Sequence, residues 1–175
     1  TEEYAGALFD DDRIYRYLLW RRWSSGKPLL WVMLNPSTAD GMKDDPTIRK
    51  CMAFSRAMGF GALDVVNLYA LRSTDPAALR AAGFPIGERT DAVVRRVLSE
   101  YVDRVIVAWG TKAQEERAGA MLQLIREAGH EPLSLHTTAA GAPGHPLYLR
   151  LDSKAGLHLS FPTRPCYAWA RQKVA

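Results

Sequence analysis

One short segment decides the fold of this chain: it reads LLWVMLNPS and occupies residues 29–37. Its first six residues are all apolar, which is typical of a strand buried on both faces of a mainly parallel sheet. The apolar run stops at Asn35 and Pro36. Because ligands of open α/β sheets bind where the carboxyl ends of the strands meet, this segment predicts a central strand and one wall of a pocket.

Three later segments repeat this arrangement in order along the chain. Residues 63–68 form a predicted strand that contains Asn67, and residues 104–109 form another that ends at Trp109. His145 follows in a loop rich in glycine and proline. If these strand ends meet, the polar side chains that follow them share one pocket.

Helical patterns alternate with the strands. Helices are predicted at residues 46–59, 76–83, 90–101 and 111–128, with an edge strand at 13–23 and a fourth central strand at 133–136. Asp44 and Asp45 directly precede a proline, which favours helix capping over a metal or acid/base pair. The sequence therefore predicts a single α/β domain over residues 1–175, with three α/β/α layers and a central, mainly parallel four-stranded sheet plus an N-terminal edge strand.

The composition excludes several classes of protein. The 175 residues are about one domain, and 47% of them are hydrophobic, which is enough for a substantial core. Cys51 and Cys166 form no CxxC motif or Cys/His cluster, so we expect no disulfide framework, no metal and no cofactor. No stretch approaches about 18 consecutive apolar residues, and the N-terminus is acidic, so we expect a cytoplasmic protein without membrane contact.

Several enzyme signatures do not occur in the sequence. There is no P-loop and no GxGxxG motif, which argues against an ordinary NTPase or nicotinamide enzyme. Ser37 lacks a GxSxG elbow and is a poor candidate for a nucleophile. The net charge of +4 and the pI near 9.2 permit a polyanionic partner without requiring one.

Asn35, Pro36 and Ser37 are the first candidate site residues. A side-chain amide at a strand end offers both a donor and an acceptor, so Asn35 can orient a water or read a polar ligand edge. The alternative is an Asx-type turn, which Asn-Pro commonly begins. Ser37 can hold a phosphate or a water, or satisfy the backbone of its own loop.

Asn67 is the second candidate, because an asparagine at the end of a buried apolar strand needs partners for its amide. Those partners are either a ligand edge or a neighbouring loop. Tyr69 and Arg72 follow it and can stack on a base or contact a phosphate. Alternatively, Tyr69 belongs to the core and Arg72 is a solvated surface residue.

Trp109, Gly110 and His145 complete the candidate set. A glycine that opens a helix lets the backbone approach a ligand, whereas packing between sheet and helix is the simpler role for the tryptophan. His145 is the first choice among the four histidines, because its loop holds a titratable ring off any regular element. None of the histidines belongs to a metal-ligand spacing such as HExxH.

The chain resembles the domain-of-unknown-function family 1643 (DUF1643) through most of its length. The segments that carry the resemblance are WVMLNPSTAD at residues 31–40, DDPTIR at 44–49, NLYA at 67–70, AWG at 108–110 and HPLYL at 145–149. The resemblance supplies a family and almost no function.

The same strand ends resemble, more distantly, the uracil-DNA glycosylase superfamily. Its members show a strand that ends in a Gly-x-Asp/Asn-Pro loop, a later strand that ends in Asn, an apolar strand that ends in Trp-Gly, and a His-Pro loop. The resemblance implies that Asn35 positions or activates the hydrolytic water and that Asn67 reads the base. It further implies that His145 stabilises charge on the departing base, while Phe54 or Phe60 is a candidate to stack on it.

Two motifs depart from that superfamily's pattern. Met33 and Leu34 replace the glycine of the first motif, which predicts a tighter pocket floor. Leu147 and Tyr148 replace a serine after the His-Pro loop, which removes a hydroxyl that would help to grip a phosphate backbone. A different modified base, or a free nucleotide or nucleoside, therefore stays open as the substrate.

Two functions follow from these residues. The first is a DNA glycosylase-like hydrolase that cleaves the N-glycosidic bond of a damaged or modified base, in DNA rather than RNA, with Asn35, Asn67 and His145 as its working set. The alternative is a non-catalytic nucleic-acid or nucleotide-binding module of the same fold. A polymer substrate predicts basic residues along the pocket rim. The candidates for that rim are Arg16, Arg21, Arg22, Arg72 and Arg150.

Overall fold

The structure is a computed structural model that describes residues 4–100, 102–151 and 164–165. Its strands form one sheet in the order β1-β2-β4-β3-β5-β6-β7. Their bounds are Tyr4–Phe9 for β1, Arg16–Arg22 for β2, Leu29–Met33 for β3, Ala62–Asn67 for β4, Arg104–Val107 for β5, Pro132–Ser134 for β6 and Arg164–Pro165 for β7. The helices are α1, Pro46–Ala57; α2, Pro76–Ala81; α3, Thr90–Glu100; α4, Glu115–Glu127; and a short 3₁₀ helix, Pro146–Tyr148.

The segment at residues 29–37 supplies the central strand, β3. All five residues of β3 are buried, and Val32 is in register with Val66 of β4 on one side and Val107 of β5 on the other. Both pairings are parallel, and β5 pairs parallel with β6. The carboxyl ends of these strands therefore lie along one edge of the sheet.

The prediction of an α/β fold is confirmed, but the sheet is more mixed than the sequence predicted. β1 and β2 form an antiparallel hairpin, β2 pairs antiparallel with β4, and β7 pairs antiparallel with β6. Only one N-terminal strand was predicted, at the edge of the sheet, whereas the described residues contain two, and the predicted strand, β2, lies inside the sheet between β1 and β4. The missed strand contains Ala5, Gly6 and Ala7, whose types are weak strand formers. The ring of Trp20 lies where a side chain at Gly6 would project, so β1 packs closely on β2.

Helices cover both faces of the sheet because consecutive side chains of a strand point to opposite sides. Trp31 and Val65 pack with α1 on one face, whereas Val32 and Val66 pack with α3 and α4 on the other. Within the α1 face, the indole Nε1 of Trp31 donates a hydrogen bond to Oγ of Ser55 at 3.0 Å. Sheet and helix are thus joined by a polar contact inside an apolar layer.

The helix boundaries follow local capping chemistry. Asp45 is the N-cap of α1, where its Oδ1 accepts from the backbone N–H of Ile48 at 2.8 Å, and Pro46 is the first helical residue. Helix α4 begins at Glu115 rather than at residue 111 as predicted. Gly110 has a φ of +75°, a left-handed conformation that separates β5 from the helix instead of opening it.

No helix in the described part of the chain is long and apolar enough to cross a membrane. Cys166 lies outside the described residues.

Candidate functional site

A cavity of about 420 Å³ lies at the carboxyl ends of β3, β4 and β5. Its floor is formed by buried residues of β2, β3, β4 and α1, by the N-cap of α1 and by a residue that follows β5. These residues are Arg16, Met33, Asp45, Ile48, Val65, Asn67 and Trp109. Its half-buried walls include Asn35, Ser37, Thr47, Ser73, Gly110 and His145. Its mouth carries the exposed residues Thr74, Thr111, Lys112, Leu147 and Tyr148.

Asn67 ends β4 and lies in the cavity floor. The residue is only 3% exposed, yet its Nδ2 has no hydrogen-bond partner within the described part of the chain. A buried amide donor without a partner costs about 1–3 kcal/mol, and such groups are rare in folded proteins. The neighbouring-loop partner considered for Asn67 is not found among the described residues.

Trp109 also lines the cavity and carries a second donor that has no partner among the described residues. Its indole packs in the core on the α3 and α4 face and is 1% exposed, and its Nε1 has no partner among the described residues. The next residue, Gly110, does not offer its backbone N–H to a ligand, because that group donates to the carbonyl of Pro143 at 2.8 Å. No atom lies within 4 Å of where a Cβ would be at Gly110, so the wall is open there.

His145 enters the cavity from the loop that precedes the 3₁₀ helix. Its Nδ1 accepts a hydrogen bond from the backbone N–H of Leu147 at 3.2 Å, so the neutral ring carries its proton on Nε2. Burial lowers the pKa of His145 below its ordinary value of 6.5, and the negative charge of Asp45 opposes part of this shift. The site therefore favours a neutral imidazole with a hydrogen-bond donor at Nε2.

Asn35 fixes the loop after β3 to a neighbouring loop. Its Nδ2 donates to the carbonyls of Pro36 at 3.1 Å, Leu71 at 3.4 Å and Ser73 at 3.2 Å. These contacts give its amide nitrogen a structural role, but they do not form the Asx-type turn considered above, in which the side-chain oxygen would accept from a backbone N–H two residues on. They also fix the side chain's orientation and leave Oδ1 as the acceptor through which it can act on a ligand or a water.

Arg16 lies in the floor beside Asp45. Its Nη1 donates to the carbonyl of Ala39 at 2.8 Å, and its buried Nε has no partner among the described residues. Burial lowers the pKa of Arg16 to about 10, while the charge of Asp45 acts in the opposite direction. The guanidinium is therefore protonated at neutral pH, and the cavity floor holds a buried cation.

Asp45 is the carboxylate among the cavity-lining residues, and both of its oxygens are engaged. Oδ1 caps α1, and Oδ2 accepts from the backbone N–H of Ala39 at 3.3 Å. The hydroxyls of Ser37 and Thr47, by contrast, have no hydrogen bond to any described residue. Among the described residues, the cavity lining therefore includes both hydroxyls and nitrogen donors that have no hydrogen-bond partner.

The predicted site residues separate into two groups in the structure. The cavity brings together Asn35, Ser37, Asn67, Trp109, Gly110 and His145. Pro36, Tyr69 and Arg72 do not line it. Tyr69 is fully buried against Phe84, and its hydroxyl accepts from the backbone N–H of Gln114 at 3.1 Å. Arg72 donates to the carbonyl of Arg13 and lies over the ring of Phe9.

The aromatic residues considered for stacking lie elsewhere in the fold. Phe54 is fully buried against Trp31, and Phe60 lies beneath Arg104; neither lines the cavity. Tyr148 is the aromatic side chain at the cavity mouth. It is 84% exposed, and its ring centroid lies 5.8 Å from that of His145.

The arginines proposed for the rim of the cavity do not lie there. Of the five candidate arginines, only Arg16 lines the cavity, and it lies in the floor rather than at the rim. Arg21 pairs with Asp44 at 2.8 Å, and Arg22 pairs with Asp64 at 2.6 Å. Lys112 is the cation at the mouth within the described residues.

A family model described as "Protein of unknown function (DUF1643)" matches residues 16–147, which are 132 of the 175 residues. The chain belongs to the DUF1643 family. No curated protein and no solved structure matches it. The DUF1643 match includes every residue that lines the cavity except Tyr148. The predicted family is thus confirmed, whereas the resemblance to uracil-DNA glycosylases stays a prediction.

In this DUF1643 protein, the sequence signal for the remaining floor residues was indirect. Arg16 belongs to a predicted edge strand, where a charged side chain ordinarily faces solvent. Asp45 was predicted to cap α1, which it does, but its second contact, with the backbone N–H of Ala39, was not predicted. Within the residues that the structure covers, no group of three or more His, Cys, Asp or Glu side chains could hold a metal ion.

Proposed function

We propose that this DUF1643 protein binds a nucleobase in the cavity and hydrolyses the N-glycosidic bond that holds it. One observation carries the proposal: Asn67 is 97% buried at the end of a central strand, lines the same cavity as His145, and has an Nδ2 without a hydrogen-bond partner among the described residues. A carboxamide offers a donor and an acceptor in one plane, which is the pattern that reads a base edge.

His145 acts on the leaving group in this proposal. When the N-glycosidic bond breaks, the electron pair of that bond goes to the base, and negative charge develops on its ring and oxygens. A donor held in place before the reaction stabilises that charge. The neutral imidazole meets this requirement, because the amide of Leu147 occupies Nδ1 and leaves the proton on Nε2.

Asn35 orients the attacking water. The three carbonyls bound to Nδ2 hold the side chain in one orientation, and Oδ1 is then available to accept a hydrogen bond from the water. Orientation of this kind raises rates because a reactant is held in place before the reaction begins.

The resemblance to uracil-DNA glycosylases supports the same assignment through the order of the strand-end motifs. Its departures also have structural consequences. Met33 lies in the cavity floor, and Leu147 and Tyr148 are exposed at the mouth where the superfamily has a serine. A bulkier floor, and the loss of a serine hydroxyl at the mouth, favour a substrate other than uracil in DNA.

A non-catalytic binding module is the second candidate, and Asp45 favours it. Each oxygen of this carboxylate already accepts a backbone N–H bond, and no other carboxylate of the described residues lines the cavity. Catalysis would then depend on a water oriented by a neutral amide. Such a water is a weaker nucleophile than one deprotonated by a carboxylate.

The decisive experiment measures release of free base by chromatography and mass spectrometry. Substrates are nucleosides, nucleotides, and single- and double-stranded oligonucleotides that carry common and modified bases. The glycosidase proposal predicts release from at least one substrate, slowed at least a hundredfold by His145→Ala with ligand affinity changed less than tenfold. Ser99→Ala, an exposed change on α3, is the control. Binding without release from any substrate would establish the binding module instead.

A further inference from the structure

Arg16 differs from the other buried arginines of the described residues because it forms no ion pair with a carboxylate among them. Three arginines are buried in the described residues: Arg16, Arg21 and Arg117. Arg21 pairs with Asp44 at 2.8 Å, and Arg117 pairs with Asp91 at 2.7 Å. Arg16 has no carboxylate within ion-pair distance in the described part of the chain, and it is the one of the three that lines the cavity.

A buried guanidinium without a carboxylate partner is costly, because the desolvation of the cation is not offset by a nearby anion. Asp45, the nearest carboxylate in the floor, acts on Arg16 electrostatically but makes its hydrogen bonds to Ile48 and Ala39. Nη1 of Arg16 is bound to the carbonyl of Ala39, which leaves Nε uncommitted. Because Arg16 lines the cavity, an anionic oxygen of a bound ligand would supply the charge partner that the described residues do not.

The other uncommitted groups of the cavity fit the same ligand chemistry. Nδ2 of Asn67 and Nε1 of Trp109 are both donors without partners among the described residues. Ser37 and Thr47 add hydroxyls, and Lys112 adds a positive charge at the mouth. A donor-rich site of this kind selects a ligand with several acceptor oxygens and negative charge.

The size and charge of the site indicate a small ligand rather than a polymer. A cavity of about 420 Å³ lies within the range of sites that enclose a small molecule, roughly 300–1,000 Å³. Proteins that hold a nucleic-acid backbone spread several Lys and Arg side chains along it. Here Arg16 and Lys112 are the cations that line the cavity, and Arg16 is buried.

We infer that Arg16 pairs with the phosphate of a nucleoside monophosphate, and that this free nucleotide, rather than a base within a nucleic acid, is what the cavity binds. The inference rests on the proposed function, which supplies the contacts with the base of this nucleotide. Asn67 and His145 contact the base, and Arg16 with the hydroxyls of Ser37 and Thr47 contacts the phosphate.

Isothermal titration calorimetry tests the inference. The probes are AMP, GMP, CMP, UMP, the four corresponding nucleosides, inorganic phosphate and a single-stranded oligonucleotide. We expect at least one monophosphate to bind tenfold or more tightly than its nucleoside, because a hydrogen bond to a charged group contributes about 1.5–3 kcal/mol. This comparison uses the wild-type protein alone and does not depend on how any variant folds.

Arg16→Met then assigns the difference to the guanidinium. The variant should bind the monophosphate no more tightly than the nucleoside, with nucleoside affinity within twofold of the wild type. Arg16→Lys keeps a charge but loses the planar fork, so it should retain part of the difference. Arg126→Met, an exposed change on α4, is the matched control and should bind both ligands as the wild type does.

The outcomes separate this inference from the proposed function. If the wild-type protein binds monophosphate and nucleoside with equal affinity, the inference is overturned. The same holds if Arg16→Met lowers the affinity for both ligands equally. Neither result would contradict the proposal that the cavity binds a base. Tighter binding of the oligonucleotide than of any monophosphate would also overturn it. Phosphate binding that requires Arg16, with no binding of any nucleoside or monophosphate, would overturn the proposed function and the nucleotide assignment and retain only the anion contact.

Discussion

The imidazole ring of His136 occupies the space into which a side chain at Gly144 would project. The backbone N–H of Gly144 also donates to the carbonyl of His136 at 2.9 Å, so the two residues are held together at both main chain and side chain. Gly144 directly precedes His145. The close contact therefore sets the position from which His145 enters the cavity.

We expect Gly144→Ala to displace the His145 loop, because the new methyl group would overlap the ring of His136. Base release should fall at least tenfold, since small displacements of a catalytic group have large effects on rate. Gly119→Ala on α4 is the control, because no atom lies within 4 Å of the added methyl group.

The double variant Gly144→Ala/His136→Ala tests the stated cause. Nδ1 of His136 has no hydrogen-bond partner among the described residues, so removing its ring breaks no contact of that atom. The double variant should recover much of the lost affinity or activity. A double variant as impaired as Gly144→Ala alone would contradict the steric explanation.

Ser55 connects α1 to the central strand, and its removal should destabilise the protein. Its hydroxyl accepts from Nε1 of Trp31 at 3.0 Å and donates to the carbonyl of Cys51 at 2.7 Å, with all three residues buried. Ser55→Ala leaves the indole N–H buried and unpaired, which costs about 1–3 kcal/mol in the free energy of unfolding. Urea denaturation measures the change. Ser99→Ala, at an exposed position, should change it by less than about 0.5 kcal/mol.

The sequence predicted most of the regular elements because each is specified locally. The apolar run of β3 has the composition of a strand that is buried on both faces. Asp45 before Pro46 specifies the start of α1 by capping chemistry that acts over three residues. Such signals do not depend on the rest of the fold, so they can be read from one sequence.

The missed features depend on contacts between distant segments. β1 is a strand because Gly6 lets Trp20 pack against it, a contact that spans a hairpin. Arg16 was expected at a solvated rim, but the loop that contains Ala39 folds over it and buries it. Tyr69 and Asn67 were both expected in the pocket, yet Tyr69 packs into the core on the far face of the sheet.

Asp45 should contribute more to stability than an ordinary helix cap. Removing an N-cap costs about 0.5–2 kcal/mol. Asp45 is buried, and besides capping α1 it accepts a hydrogen bond from the backbone N–H of Ala39. Asp75, the N-cap of α2, is exposed, and among the described backbone N–H groups its side chain accepts only from that of Ala77. In denaturant titrations, Asp45→Ala should therefore lower the free energy of unfolding by more than Asp75→Ala does. Equal losses would contradict the added role.

His145 should make the protein less stable in mild acid. Burial places its pKa below 6.5 in the folded protein, so between that value and 6.5 the unfolded chain binds more protons than the folded one. The free energy of unfolding contributed by this group therefore falls as pH decreases through that window, and it is constant well above 6.5. Denaturant titrations at about pH 7.5 and pH 5.5 measure the loss, which should be smaller in His145→Gln than in the wild type. NMR of the ring nitrogens gives an independent result: a proton on Nε2 at neutral pH is expected, and a proton on Nδ1 would contradict the contact with Leu147.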